Sequence, residues 1–132
     1  MILNTSALVA VMLREPGSEW IMRQMAAANG KLAIGAASLV EAGIVLSARL
    51  GEDARGRIAR VLDEVQIAVI PFTESHYAVA VDAWLRFGKG RHPAALNFGD
   101  CLSYATATIA AEALLCIGDD FANTDCLLAQ EV

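Results

Sequence analysis

The chain alternates short, wholly apolar runs with longer stretches in which apolar residues recur every three to four positions. The short runs predict strands: one ending at Ile2-Leu3, then Leu32-Ala33-Ile34, Gln66 to Ile70 closed by Pro71, and Leu114 to Ile117. The periodic stretches predict helices. Thr5-Ser6 caps a first helix, Ala7 to Arg14. Ser18 caps a second, with Trp20, Ile21 and Met25 as its apolar stripe, and Asn29-Gly30 ends it. A third runs from Ser38 to about Leu50, with Gly51 as its stop. A charged amphipathic helix, Glu52 to Glu64, buries Ile58, Val61 and Leu62. Thr73 caps a helix reaching Phe87, the loop Gly88-Lys89-Gly90-Arg91-His92-Pro93 follows, and a last helix covers roughly Phe98 to Ala111.

Strands alternating with helices predict an α/β fold, a parallel sheet covered on both faces, and continuous apolar strands fit such burial. There is no repeat, linker or low-complexity stretch, so the 132 residues predict one domain, 1–132.

Composition bears on partners. At 56% hydrophobic and 19% charged, the chain is more apolar than an ordinary soluble monomer, so either burial is unusually complete or an apolar surface awaits a partner. No run reaches the roughly 18 to 20 residues of a membrane span. The basic start and cleavage site of a signal peptide are missing, so a cytoplasmic location is expected. The three cysteines are odd in number and lack Cys-x-x-Cys spacing, against a disulfide framework or a zinc site. A net charge of −5 does not favour nucleic acid as a bulk partner, yet Arg86, Lys89, Arg91 and His92 form a local basic segment. It reads either as a phosphate-contacting loop or as a solvated one. Tyr77, Trp84 and Phe87, spaced seven and three apart, suit core or a partner surface better than base stacking.

In open α/β sheets ligands bind beyond the carboxyl ends of the strands. Asn4 ends the first strand, Asp119 and Asp120 follow the fourth, Asp100 lies near the start of its helix, and Glu41 falls in the first turn of its own. Three segments bring carboxylates to that edge and the fourth brings an amide. Hard oxygen donors suit Mg²⁺ or Mn²⁺, which activate water and stabilise developing phosphate charge. Each position also has a structural explanation. Ser38-x-x-Glu41 fits a capping box, Asp100 suits a helix N-terminus, Asp119-Asp120 suits a polar turn and Asn4 a strand end.

Met1-Ile2-Leu3-Asn4-Thr5-Ser6-Ala7-Leu8 resembles the opening of PIN-domain ribonucleases, especially VapC-type toxins of bacterial toxin–antitoxin pairs, where the fourth residue is normally aspartate. Lys89 to Cys101, containing Leu96-Asn97-Phe98-Gly99-Asp100, is similar to a long segment of one VapC subgroup, and Gly118-Asp119-Asp120-Phe121 with Thr124-Asp125 resembles the closing motif. The resemblance implies a three-layer α/β/α PIN domain with a short, mainly parallel sheet. It implies a Mg²⁺-dependent endoribonuclease (Mn²⁺ as a substitute) with an antitoxin partner and RNA as substrate. The site positions it implies are Asn4, Glu41, Asp100 and either Asp119 or Asp120, with Ser6 supporting them. The apolar excess fits a homodimer and an antitoxin segment over the cleft, one of whose arginines would pair with the acids.

Asn4 is the departure from that pattern. It offers one neutral carbonyl oxygen and an NH₂ donor in place of a carboxylate. A loss of about 3 to 5 kcal/mol of transition-state stabilisation would slow cleavage on the order of 10² to 10⁴-fold. The expectation is therefore an impaired enzyme, and its rival a catalytically silent domain that binds RNA or antitoxin. A dehalogenase-type phosphatase would want aspartates where Asn4 and Ser6 stand, and no Gly-x-Gly-x-x-Gly or P-loop is present.

Overall fold

The four apolar runs form one sheet in the computed structural model, which describes residues 1–130. The last two residues of the expected domain, 131 and 132, lie outside the described residues. The strands are β1 (Ile2–Leu3), β2 (Leu32–Gly35), β3 (Ile67–Ile70) and β4 (Leu114–Leu115). They are ordered β3-β2-β1-β4 and every pairing is parallel: Leu3 lies opposite Ile34 on one side and Leu115 on the other. Successive strand residues face opposite sides of the sheet. Leu3, Ile34 and Leu115 accordingly pack with α1 (Thr5–Leu13), α2 (Ser18–Ala27), α3 (Ala36–Leu50) and α4 (Arg55–Val65). Ile2 and Leu114 pack on the other side with α5 (Glu74–Phe87) and α6 (Phe98–Ala110). Helices on both faces of a parallel sheet give the three expected layers. No helix among the described residues is long and apolar enough to cross a membrane.

Element ends differ from the sequence reading where polar side chains find distant partners. Asn4, not Thr5 or Ser6, stands at the N-terminus of α1. The Thr5 hydroxyl instead donates to the Ser38 carbonyl, and the Ser6 hydroxyl accepts from the Ile117 amide. That second bond draws Ile117 out of strand pairing, so β4 ends at Leu115. Helix α3 begins at Ala36, directly after β2, which moves Glu41 beyond the first turn. Helix α4 starts at Arg55, because the Asp53 carboxylate accepts from the Arg55 amide at 3.0 Å and Ser47 Oγ ties down the Ala54 amide at 3.0 Å.

Candidate active site

Helix α6 assembles the site along one of its faces. Its residues 99, 103 and 106 recur at helical spacing and meet the carboxyl edge of the sheet. At Thr106 the hydroxyl lies against Gly35, where a Cβ would sit 2.6 Å from Oγ1. Ser103 Oγ donates to Asn4 Oδ1 at 2.6 Å, fixing α6 to the end of β1. Gly99 is there because the Glu41 carboxylate occupies the space its side chain would need: a Cβ would lie 2.7 Å from Glu41 Cδ. The same helix face thus touches Asn4 through Ser103 and Glu41 through Gly99, with Asp100 next to Gly99 in the chain.

Asp100 is buried, 8% exposed, in the first turn of α6. It closes a capping box: Asn97 Oδ1 accepts from the Asp100 amide at 2.9 Å, and Asp100 Oδ2 accepts from the Asn97 amide at 3.1 Å. The cap uses one carboxylate oxygen and leaves the other for a ligand, so the capping and ligand readings of Asp100 are compatible. Burial pushes the Asp100 carboxyl above its ordinary range, the Asn97 amide opposes this, and the charges of Asp120 and Glu41 raise it further. The charges that act on Asp100 are those of Glu41 and of Asp120, which starts the short 3₁₀ turn Asp120–Asn123. None of Glu41, Asp100, Asp119 and Asp120 belongs to a salt bridge among the described residues. Nor do three or more His, Cys, Asp or Glu side chains among those residues gather closely enough to hold one ion directly.

The capping alternative for Glu41 is corrected. Ser38 is fully buried inside α3 and its hydroxyl pairs with Ser103 Oγ at 3.0 Å, so no Ser38–Glu41 box forms. Glu41 is left pointing at Gly99. The NH₂ of Asn4 is likewise not a loose donor facing a cation: Nδ2 donates to Ser6 Oγ at 2.8 Å. Sequence reasoning missed Ser103, Ser38 and Gly99. The available signal was the spacing of Gly99, Ser103 and Thr106 in a helix otherwise apolar on that face.

The basic segment divides. Arg86 is committed to Asp125 at 2.7 Å and Asp82 at 3.5 Å, and also reaches the Tyr104 hydroxyl. Arg91 stacks on the Trp84 ring at 4.9 Å and donates to the Leu85 carbonyl. His92 Nδ1 accepts from the Ala94 amide, and its ring meets Phe87 edge-on. Lys89 is exposed and forms no ion pair among the described residues. His76 is buried and receives the Thr73 amide on Nδ1, a cap rather than a site residue. Tyr77 and Trp84 remain exposed over an apolar groove of about 420 Å³ between α5 and α6, whereas Phe87 packs inward.

The chain matches the family model of the PIN domain over residues 1–126. It is 44% identical over 126 residues to Ribonuclease VapC36 of Mycobacterium tuberculosis, covering 95% of this chain and 90% of that protein. To Ribonuclease VapC of Mycolicibacterium smegmatis it is 36% identical over 125 residues, covering 95% and 96%. Among solved structures it superposes on Mycobacterium tuberculosis VapC20, described as a sarcin-ricin loop cleaving toxin, with a TM-score of 0.77, 18% identity and 97% of each chain covered. A chain of a toxin–antitoxin complex from Klebsiella pneumoniae gives a TM-score of 0.71 at 17% identity, covering 97% of this chain and 95% of that one. At those identities the two structures speak for the fold alone.

Proposed function

The chain belongs to the PIN-domain family, among the VapC ribonucleases, and from that premise we propose that it is a metal-dependent endoribonuclease toxin whose activity Asn4 holds low. The observation that carries this reading is the buried Asp100 carboxyl, raised by burial and by the charges of Asp120 and Glu41, with no ion pair to any of the three among the described residues. Such a set is relieved by a cation. Mg²⁺ takes one or two carboxylates and keeps several waters, so Glu41, Asp100 and Asp120 with the Asn4 carbonyl suit it without three direct carboxylate ligands. Asp119, next to Asp120 in sequence, has the lesser claim. Bound there, the ion supplies water activation and neutralises charge developing on phosphate.

The chain's own residues do the rest. Helix α6 presents Asp100 while its N-terminus favours negative charge. Ser6 and Ser103 fix the side chain at position 4. Lys89 is an exposed cation of the basic loop for an RNA phosphate, with Arg91, also exposed but held on Trp84, and His92 shaping that loop and Arg86 anchoring its base. An antitoxin segment suits the apolar groove of about 800 Å³ between α3 and α4, where Val40 and Ile44 are exposed. The α5–α6 groove suits a second copy in a homodimer. Ultracentrifugation at micromolar concentration showing only monomer would count against that dimer.

A second reading has its own observation: both polar atoms of the Asn4 side chain are already hydrogen-bonded within the protein, as a position that serves structure alone would be. On that reading the domain binds RNA or antitoxin without cutting, and its RNA affinity survives EDTA. The deciding experiment compares this chain with Asn4→Asp on total tRNA and ribosomal RNA in Mg²⁺ or Mn²⁺, with EDTA controls. The variant is expected to cut at least about 10²-fold faster, and EDTA to stop it. If neither cuts while the metal still binds, the nuclease reading fails.

A further inference from the structure

The side chain at position 4 is held by a directional chain of hydroxyls. Asn4 is 6% exposed, Ser103 0% and Ser38 2%. The Asn4 amide is oriented with Oδ1 toward Ser103 and Nδ2 toward Ser6. The 2.6 Å contact to Ser103 suits O–H···O, and the 2.8 Å contact to Ser6 suits N–H···O. Ser103 therefore spends its only proton on Asn4 Oδ1. In the 3.0 Å Ser38–Ser103 pair, Ser38 must then be the donor. The order is Ser38 to Ser103 to Asn4 to Ser6. Ser6 Oγ accepts twice, from Asn4 Nδ2 and from the Ile117 amide. Its own proton finds no protein acceptor among the described residues.

We infer that Ser103, backed by Ser38, is the positioning residue that orients position 4 toward the acidic site, and that it serves an amide or a carboxylate there equally. With aspartate at position 4, Ser103 donates as before and only the Ser6 hydroxyl rotates, turning its free proton onto the carboxylate while still accepting from Ile117. The part of this inference that concerns catalysis rests on the nuclease reading above; the part that concerns side-chain orientation does not.

Two arms keep these apart. The first is NMR of the Asn4 side-chain NH₂ pair, assigned by its loss in Asn4→Asp. This chain should show one slowly exchanging pair. Ser103→Ala should raise its hydrogen-exchange rate at least tenfold, and Ser38→Ala should raise it by a smaller factor. An exchange rate within twofold of the parent in a folded Ser103→Ala overturns the inference, and where Ser103→Ala does not fold, an unchanged rate in Ser38→Ala does so. The second arm measures cleavage in the Asn4→Asp background. There Ser103→Ala should lower kcat by about 10- to 100-fold and leave KM within about twofold. An unchanged kcat in a cutting background overturns the positioning role. A background that does not cut overturns the nuclease reading and leaves the first arm to decide the orientation.

Discussion

Gly99→Ala separates a functional carboxylate from one that is merely half-buried. The new Cβ would sit 2.7 Å from Glu41 Cδ, and ordinary contact begins at 3.4 Å. The carboxyl group must therefore retreat by about 0.7 Å or more, and it can, because it ends a flexible side chain. Misplacing a catalytic group by about 1 Å costs on the order of 10²-fold in rate. Stability should move little and in the opposite sense. Gly99 lies in the first turn of α6 and has no positive φ, so alanine adds helix propensity of about 0.5 to 1 kcal/mol, offset by the displaced Glu41. The assay is cleavage of total RNA in the Asn4→Asp background, with calorimetric Mg²⁺ titration and a thermal melt on the same samples. The expected result is a loss of about 10² in rate, weaker Mg²⁺ binding and a melting temperature within about 3 °C of the parent. Undiminished cleavage would refute the assignment of Glu41, since the substitution cannot leave its carboxyl in place.

Asp100→Asn should stabilise the metal-free protein by roughly 0.5 to 2 kcal/mol at pH 7, because it removes a buried, repelled charge and keeps a carbonyl for the Asn97 amide. The folded Asp100 carboxyl titrates above its ordinary 3.8, so the penalty it carries grows as pH rises past that value; the gain should vanish below it, which melts from pH 3 to 7 will show. Tyr104→Phe loses the 2.6 Å bond to Asp125 from a residue only 4% exposed, costing about 1 kcal/mol or roughly 3 to 5 °C by calorimetry. The Tyr104 hydroxyl and Arg86 hold the Asp125 carboxyl below its ordinary 3.8, so their contribution is present above that pH and is lost as pH falls beneath it; Tyr104→Phe should flatten that acid flank. Lys89→Ala should lower the salt slope of RNA binding by about 1, whereas Arg86→Ala should leave it nearly unchanged, as fluorescence anisotropy across a salt series will read.

The parallel sheet and its layers were legible because burial on both faces writes strands as unbroken apolar runs, as in Leu32-Ala33-Ile34. Element ends were not, because the residues that usually cap locally are engaged far away: Ser38 pairs with Ser103, 65 positions on, and Ser6 with Ile117, 111 positions on. Position and role diverged differently for the charges. Arg86 counts as a cation in its own segment, yet Asp125, 39 positions later, takes its guanidinium. The acids were the reverse case. Asp100 does cap its helix as local rules say, and a second oxygen remains over, which the sequence had no means to separate.

Position 4 shows how the end of β1 can hold either an amide or a carboxylate without losing the fold. The groups that hold its side chain are hydroxyls, which donate or accept as required, and the backbone amide of Ile117 asks only for Ser6 Oγ. Nothing in that arrangement distinguishes an amide from a carboxylate by shape. The distinction is electrostatic: aspartate at position 4 would bring a further negative charge to an edge where Glu41 and Asp120 already act against Asp100. Without metal, that charge should lower stability, as like charges in a partly buried site do. With Mg²⁺ the order should reverse, because a ligand that binds only the folded state stabilises it in proportion to its affinity, and the carboxylate raises that affinity. The same atom exchange that would add a charged ligand thus makes the protein depend on the ion to offset it. Melting curves of this chain and Asn4→Asp, each with EDTA and with Mg²⁺, should therefore cross. Parallel curves would mean that position 4 does not face the ion at all.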